Sequence, residues 1–331
     1  MNPAARPPRI GVTLGDPRGI GPEVVAGALA PDANLPGSAP LPVAEFVLIG
    51  PPDLVPPALR GRPGISVDPV ADWSDGDDAA AGRVSVEAVE RGISLALDGA
   101  LDGLVTAPIS KAAVAAAGYP WPGHTELLRE RCGVDDVTMI MSAERTPLGG
   151  PLRIALLTVH VALRDVPGLI DRELVERKSL IAADALRRWW GIDRPRLAYA
   201  GLNPHASEGG LFGDEEARVL GPAIRRLGKT GDFEATGPYP ADTVFRRCIS
   251  GGADLIVVPY HDVGLAVLKT LAPESGINVT AGLPFPRVSP DHGTAFDIAG
   301  RGEADPRSMR AAIEACVRFS LATLNERSGS V

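Results

Sequence analysis

The side chains best suited to chemistry are five histidines: His124, His160, His205, His261 and His292. Three of them share a setting. His160 follows the apolar run Arg153–Val159, His205 closes Gly-Leu-Asn-Pro-His shortly after a run ending at Ala200, and His261 follows Asp254–Val258 in Pro-Tyr-His-Asp. In open parallel sheets ligands bind beyond the carboxyl ends of the strands. Three imidazoles placed there could converge on one divalent cation. Such a site leaves coordination positions open for substrate, which marks a catalytic metal and not a structural one. The plainer alternative is that each histidine is a loop residue with a local hydrogen bond. All five are expected in irregular segments, none on an amphipathic helix.

Other residues offer acid–base or anion-binding chemistry. Asp242, in Pro-Ala-Asp-Thr, is a candidate acid or base, or else a turn residue. Lys269 and Arg287 could grip phosphate or carboxylate, arginine in bidentate fashion; the alternative is solvated surface. Lys111, in Thr-Ala-Pro-Ile-Ser-Lys, is either a substrate contact or the first turn of a helix. The run Gly15-Asp-Pro-Arg-Gly-Ile-Gly-Pro-Glu23 lies between a strand and a helix, where backbone N–H groups can meet phosphate. It is neither GxGxxG nor a Walker A sequence, so a tight turn is an equal reading. Ser289–Gly300 is a polar, small-residue loop. It could admit a planar ligand, with Asp297 accepting from ribose hydroxyls.

The elements that must carry these residues alternate in type. Short apolar runs at Arg9–Leu14, Glu45–Ile49, Gly103–Thr106, Arg153–Val159, Arg196–Ala200 and Asp254–Val258 predict strands. Between them, Ala79–Leu97 repeats apolar residues at helical spacing (Val86, Val89, Ile93, Leu97). So does Asp171–Trp190 (Ala182, Ala185, Leu186, Trp189), with Asp171 as N-cap and Gly191 as the C′ residue. Alternation of this kind predicts an α/β fold with a largely parallel sheet. Pro31–Pro42, Pro51–Gly64 and Ala71–Asp78 read as loops.

At 331 residues, 45% hydrophobic, the chain can build about two domains. A net charge of -8 argues against a nucleic-acid-binding surface. The three cysteines, Cys132, Cys248 and Cys316, form no CxxC and read as free thiols of a reducing cytoplasm. Met1–Pro8 lacks the apolar stretch of a signal peptide, and no apolar run reaches the roughly 18 residues that span a membrane.

Taken together, the strings have a family likeness. Gly15–Glu23, Thr106–Lys111, Gly123-His-Thr-Glu126, His160-Val-Ala-Leu-Arg-Asp165, Gly201–Gly210, Pro240-Ala-Asp-Thr243, Tyr260-His-Asp-Val-Gly264 and Asp291-His-Gly-Thr-Ala295 occur in this order over nearly the whole chain. The chain resembles the 4-hydroxythreonine-4-phosphate dehydrogenases of pyridoxal phosphate synthesis. Its first motif and its Asp291–Gly300 loop also look like the wider isocitrate and isopropylmalate dehydrogenase superfamily.

The resemblance implies a two-domain α/β/α fold with the active cleft between domains. Residues 1–122 and 293–331 are expected to form the first domain and 123–292 the second. It implies a homodimer with a shared active site, in which His160, His205 and His261 are metal ligands drawn from both subunits. His124, Thr125, Lys269, Asn278 and Arg287 match substrate contacts, and Asp242 an active-site acid. His292, Gly293, Thr294 and Asp297 match nucleotide contacts by superfamily analogy. NAD is implied, with NADP as the alternative, and a divalent metal (zinc, magnesium, cobalt or manganese). The implied reaction oxidises and decarboxylates 4-phosphohydroxy-L-threonine. Paralogs acting on 4-phospho-D-threonate, 4-phospho-D-erythronate or aromatic dihydrodiols, and a metal-dependent hydrolase, are the alternatives. Two residues depart from the pattern: Val263 stands where glutamine is expected, and Ser207 where glycine is commoner.

Overall fold

The computed structural model describes residues 6–30 and 40–329. Its strands are β1 Arg9–Thr13, β2 Glu45–Gly50, β3 Ile65–Pro69, β4 Gly103–Thr106, β5 Thr138–Ala143, β6 Leu152–Leu156, β7 Arg196–Ala200, β8 Glu234–Tyr239, β9 Leu255–Val258, β10 Ile277–Ala281 and β11 Arg287–Pro290. The α-helices are α1 Gly21–Leu29, α2 Asp78–Leu97, α3 Lys111–Ala116, α4 His124–Arg131, α5 Val166–Leu169, α6 Arg172–Trp190, α7 Gly221–Gly228, α8 Ala241–Ile249, α9 His261–Leu271 and α10 Arg307–Gly329.

The chain divides into two compact units, 1–135 with 283–331, and 136–282. The joins fall after Asp135 and Gly282, where the expectation had 122 and 292. The difference carries α4 and β11 into the first unit, because α4 packs on α2 and β11 pairs with β4.

In the first unit the strands run in the order β3-β2-β1-β4-β11, each pair parallel. The central strands are apolar on both faces, as a sheet covered on both sides requires. Ile10 and Val12 of β1 and Leu104 and Val105 of β4 are fully buried. Helix α2 lays Val86, Val89 and Ile93 on this sheet, while Leu97, expected on the same stripe, is 49% exposed at the helix end. Helix α10 returns the C-terminal segment to β4, β11 and α1, with Met309, Ile313 and Phe319 buried.

The second unit orders its strands β10-β5-β6-β9-β7-β8. The pairs β10/β5 and β5/β6 are antiparallel and the rest parallel. Helix α6 begins as the sequence predicts, with the Asp171 carboxylate accepting from Leu174 N at 2.7 Å. It ends at Gly191 with φ 67°, a left-handed residue that glycine adopts without steric cost. Strands β3, β5, β8, β10 and β11 were not among the predicted strands. Pro51–Gly64 is a loop apart from two short 3-10 turns, Pro52–Leu54 and Pro57–Leu59. Of Pro31–Pro42, residues 31–39 lie outside the described residues. Among the described residues no helix is long and apolar enough to cross a membrane.

Candidate active site

The second unit brings two of the three strand-end histidines together. Strands β6 and β9 are parallel neighbours, so the residues beyond their carboxyl ends lie side by side. The His160 and His261 rings are 5.8 Å apart between centroids, tilted by 44°. Metal–nitrogen bonds of about 2.1 Å put two rings sharing one ion roughly 5–6 Å apart, so this pair fits a divalent cation. His261 Nδ1 lies 2.7 Å from Asp262 Oδ1. A carboxylate on one ring nitrogen orients the other toward a metal. His261 is also the first residue of α9, and His124 the first of α4. Both expectations of irregular segments are therefore corrected: a polar residue opening a helix breaks the apolar periodicity that would have revealed it.

His205 is held elsewhere. Among the described residues no group of three histidine, cysteine or acidic side chains within one chain is arranged to hold a metal. The reason is local. His205 lies five residues past the end of β7, in a turn of left-handed backbone running through Gly209. Its ring lies beside that of Phe212, 6.3 Å away between centroids and tilted by 42°. The turn is tied to Glu216, whose carboxylate accepts from Leu202 N at 2.8 Å and Asn203 N at 2.7 Å. Burial alone would push that acid up, yet these donors and Ser207 hold it below its usual range.

Asp242 is exposed in the first turn of α8, after Pro240. Lys269 lies in the last turn of α9 and is exposed. Asn278, on β10, is half-buried, and its Oδ1 is buried with no hydrogen-bond partner among the described residues. Val263, on α9, packs against the core of this unit.

The first unit holds a second cluster. Arg287, the first residue of β11, is 1% exposed, and its Nη2 donates to Thr106 Oγ1 at the end of β4. Burial lowers its pKa to about 9. His124 Nε2 is also buried and has no hydrogen-bond partner among the described residues. Burial, then the charge of Arg287, drives the His124 pKa well below the ordinary histidine value. Thr125 is the next residue of α4 and is half-buried. Buried polar atoms left open by the protein cost about 1–3 kcal/mol each, and a ligand that completes them recovers that cost.

The Gly15–Glu23 motif serves as a brace for the Asp291–Gly300 segment. Ile20 N donates to Thr294 O at 3.0 Å. The two Glu23 oxygens accept from Gly300 N at 3.0 Å and Ala304 N at 3.3 Å. Arg18 is paired with the buried Asp16 and lies over the Phe296 ring at 5.2 Å. Gly19 is tight for its own reason, since a Cβ there would lie 2.9 Å from Thr294 O. Ser289 and Pro290 belong to β11, so the loop proper begins at Asp291. His292 and Thr294 are half-buried, while Gly293 and Asp297 are exposed. Lys111 opens α3 and is exposed, with Ser110 as the cap. Glu216 and Glu23 were missed as site residues, because no local spacing signals that a helical glutamate returns to a distant loop.

Comparison with known proteins places the chain. Residues 65–316 match the family described as Pyridoxal phosphate biosynthetic protein PdxA. A 4-hydroxythreonine-4-phosphate dehydrogenase of Desulfosudis oleivorans is 40% identical over 96% of each chain. The crystal structure of 4-hydroxythreonine-4-phosphate dehydrogenase from Klebsiella pneumoniae superposes with a TM-score of 0.80 at 37% identity, covering 95% of this chain and 99% of that one. A terephthalate 1,2-cis-dihydrodiol dehydrogenase from Burkholderia xenovorans gives 0.64 at 28% identity, over 97% and 99%. With its family's sequence matched across most of its length and its fold shared with a solved relative, the chain belongs to the PdxA family of pyridoxal phosphate biosynthetic proteins.

Proposed function

We propose that this chain is an NAD-dependent 4-hydroxythreonine-4-phosphate dehydrogenase. It oxidises the C3 hydroxyl of 4-phosphohydroxy-L-threonine to a ketone, passing hydride to NAD and releasing a proton. The product, 2-amino-3-oxo-4-phosphooxybutanoate, is a β-keto acid and loses CO2 to give 3-amino-2-oxopropyl phosphate. The observation that carries this reading is the 40% identity, over 96% of both chains, to a relative of that name. The dihydrodiol dehydrogenase neighbour, at 28%, supports a paralogous substrate less well. A hydrolase reading has no use for the braced Asp291–Gly300 segment.

His160 and His261 would hold the divalent ion from one subunit, and His205 would come from the second subunit of a homodimer. The ligand type suits zinc, cobalt or manganese, and magnesium if substrate oxygens complete the shell. When bound, the ion lowers the pKa of the substrate hydroxyl and stabilises the charge left as CO2 departs. Asp242, exposed at the start of α8, takes the hydroxyl proton. Arg287, His124 and Thr125 bind anionic oxygens of the substrate in the first unit. Lys269 does the same in the second, with Asn278 adding a neutral hydrogen bond. His292, Gly293, Thr294 and Asp297 contact the nucleotide, and the Asp297 charge disfavours a 2′-phosphate, hence NAD over NADP. The free thiols Cys132, Cys248 and Cys316 suit a cytoplasmic enzyme.

The test is NADH formation by the metal-loaded protein with 4-phosphohydroxy-L-threonine, beside 4-phospho-D-threonate and 4-phospho-D-erythronate. Turnover of the first compound alone supports the assignment. Turnover of only a threonate or erythronate would replace it with a paralogous activity.

A further inference from the structure

We infer that Glu216 is the positioning residue for His205: its buried carboxylate holds shut the left-handed turn that presents the imidazole. The inference rests on the reading of His205 as a metal ligand.

The turn does not hold itself. His205, Ala206, Ser207 and Glu208 have φ values of 53°, 53°, 73° and 45°, and Gly209 follows at 69°. In this region Cβ crowds the following carbonyl oxygen, so left-handed residues other than glycine normally occur singly. Four in succession persist only where the surroundings over-determine them.

Glu216 supplies that constraint from the turn leading into α7. The side chain is buried, at 5% exposed, and both oxygens are used. Oε1 accepts from the backbone of Leu202 and Asn203, at 2.8 and 2.7 Å. Oε2 accepts from Asn203 Nδ2 at 2.9 Å and from Ser207 Oγ. Asn203 and Ser207 flank His205 two residues to either side, and one carboxylate grips both. The backbone that carries His205 cannot leave this conformation without breaking a charge-assisted bond.

Glycines make room for this carboxylate and for the Asn203 amide that it binds. A Cβ on Gly201 would lie 3.0 Å from Ala206 Cα and 3.1 Å from Glu216 Oε1. One on Gly213, where φ is 132°, would lie 2.7 Å from Asn203 Nδ2. Ser207, the residue that departs from the family pattern, is 3% exposed and spends its hydroxyl on Glu216. The departure is therefore absorbed inside the turn.

The experiment titrates the full-length, metal-free protein with Co(II), reading visible absorption, for wild type, Glu216→Ala, Glu216→Gln and His205→Ala. Hydrogen exchange of residues 201–213 is followed in the same apo proteins. Glu216→Ala is expected to weaken Co(II) binding about tenfold or more, the scale of lost outer-shell support, and to speed exchange at Leu202 and Asn203 while α6 and α10 stay protected. Glu216→Gln keeps one acceptor oxygen for the two backbone donors and should recover part of both; it also replaces the alanine variant if that one fails to fold. Wild-type Co(II) affinity in Glu216→Ala, with binding lost in His205→Ala, overturns the role of Glu216 and leaves the metal reading standing. Wild-type affinity in His205→Ala removes the metal reading instead, and exchange then decides: unchanged protection at 201–213 in Glu216→Ala overturns the positioning role as well.

Discussion

His124 Nε2 and Arg287 are buried together in the first unit, where both disfavour a proton on the imidazole. Burial of the imidazole, and after it the positive charge of Arg287, drives the His124 pKa well below the ordinary histidine value of about 6.5. The unfolded chain therefore binds a proton that the folded chain refuses. Stability from this site is complete above the unfolded pKa and falls as the pH drops below about 6.5, by at most about 1.4 kcal/mol per unit. Replacing His124 with Asn should flatten the decline of Tm between pH 6.5 and 5 relative to wild type. Parallel curves would mean that the histidine protonates as readily in the fold as outside it.

The same pair bears on substrate affinity. A dianionic phosphate beside Arg287 would favour the charged guanidinium and raise its pKa from the value of about 9 that burial sets in the free protein. Arg287→Met keeps most of the side-chain volume in a closely packed place but removes the charge. If Arg287 binds ground state and transition state alike, KM rises about 10- to 100-fold with kcat within threefold, the worth of one or two hydrogen bonds to a charged group. An unchanged KM, with the fold intact by circular dichroism, takes Arg287 out of the substrate site.

How much of this was legible before the fold depended on whether the signal was local. The strands β4 and β7 and the cap at Asp171 follow from runs and capping residues that carry their own evidence. Edge strand β8 does not, since Glu234–Tyr239 is half-exposed and contains Gly237 and Pro238. Strand β11 is only Arg-Val-Ser-Pro, and pairing with β4 makes it a strand. The approach of His160 to His261 was readable from their positions after strands, but strand order was not, and that order makes these two neighbours. The left-handed turn at His205 has no sequence mark, because its residues are ordinary and its cause, Glu216, comes eleven residues later.

The brace at Glu23 predicts a defect confined to the nucleotide. Glu23→Gln weakens the bonds to Gly300 N and Ala304 N, leaving the clusters around Arg287 and His261 untouched. KM for NAD should rise about three- to tenfold, the scale of one weakened charge-assisted bond, with KM for the phosphorylated substrate unchanged. Gly19→Ala should do the same by pressing its methyl on Thr294 O. Equal effects on both substrates in steady-state kinetics would mean that the brace supports the unit at large.

The last prediction concerns where the third histidine comes from. Within one chain His160 and His261 adjoin, while no trio of ligating side chains forms among the described residues. If His205 completes the site of a second copy, His160→Ala and His205→Ala are each inactive alone. A mixture, unfolded and refolded together, behaves differently. Half of a random mixture is hybrid dimer, and each hybrid carries one site with all three histidines, the other having lost two. Activity should return to roughly a quarter of wild type, as a twofold-symmetric shared site demands. If all three ligands came from a single chain, the hybrid would hold two broken sites and the mixture would stay inactive. Because both variants keep the exposed loop positions at which they differ free of core packing, a failure to refold is separable by circular dichroism and gel filtration from a failure to complement.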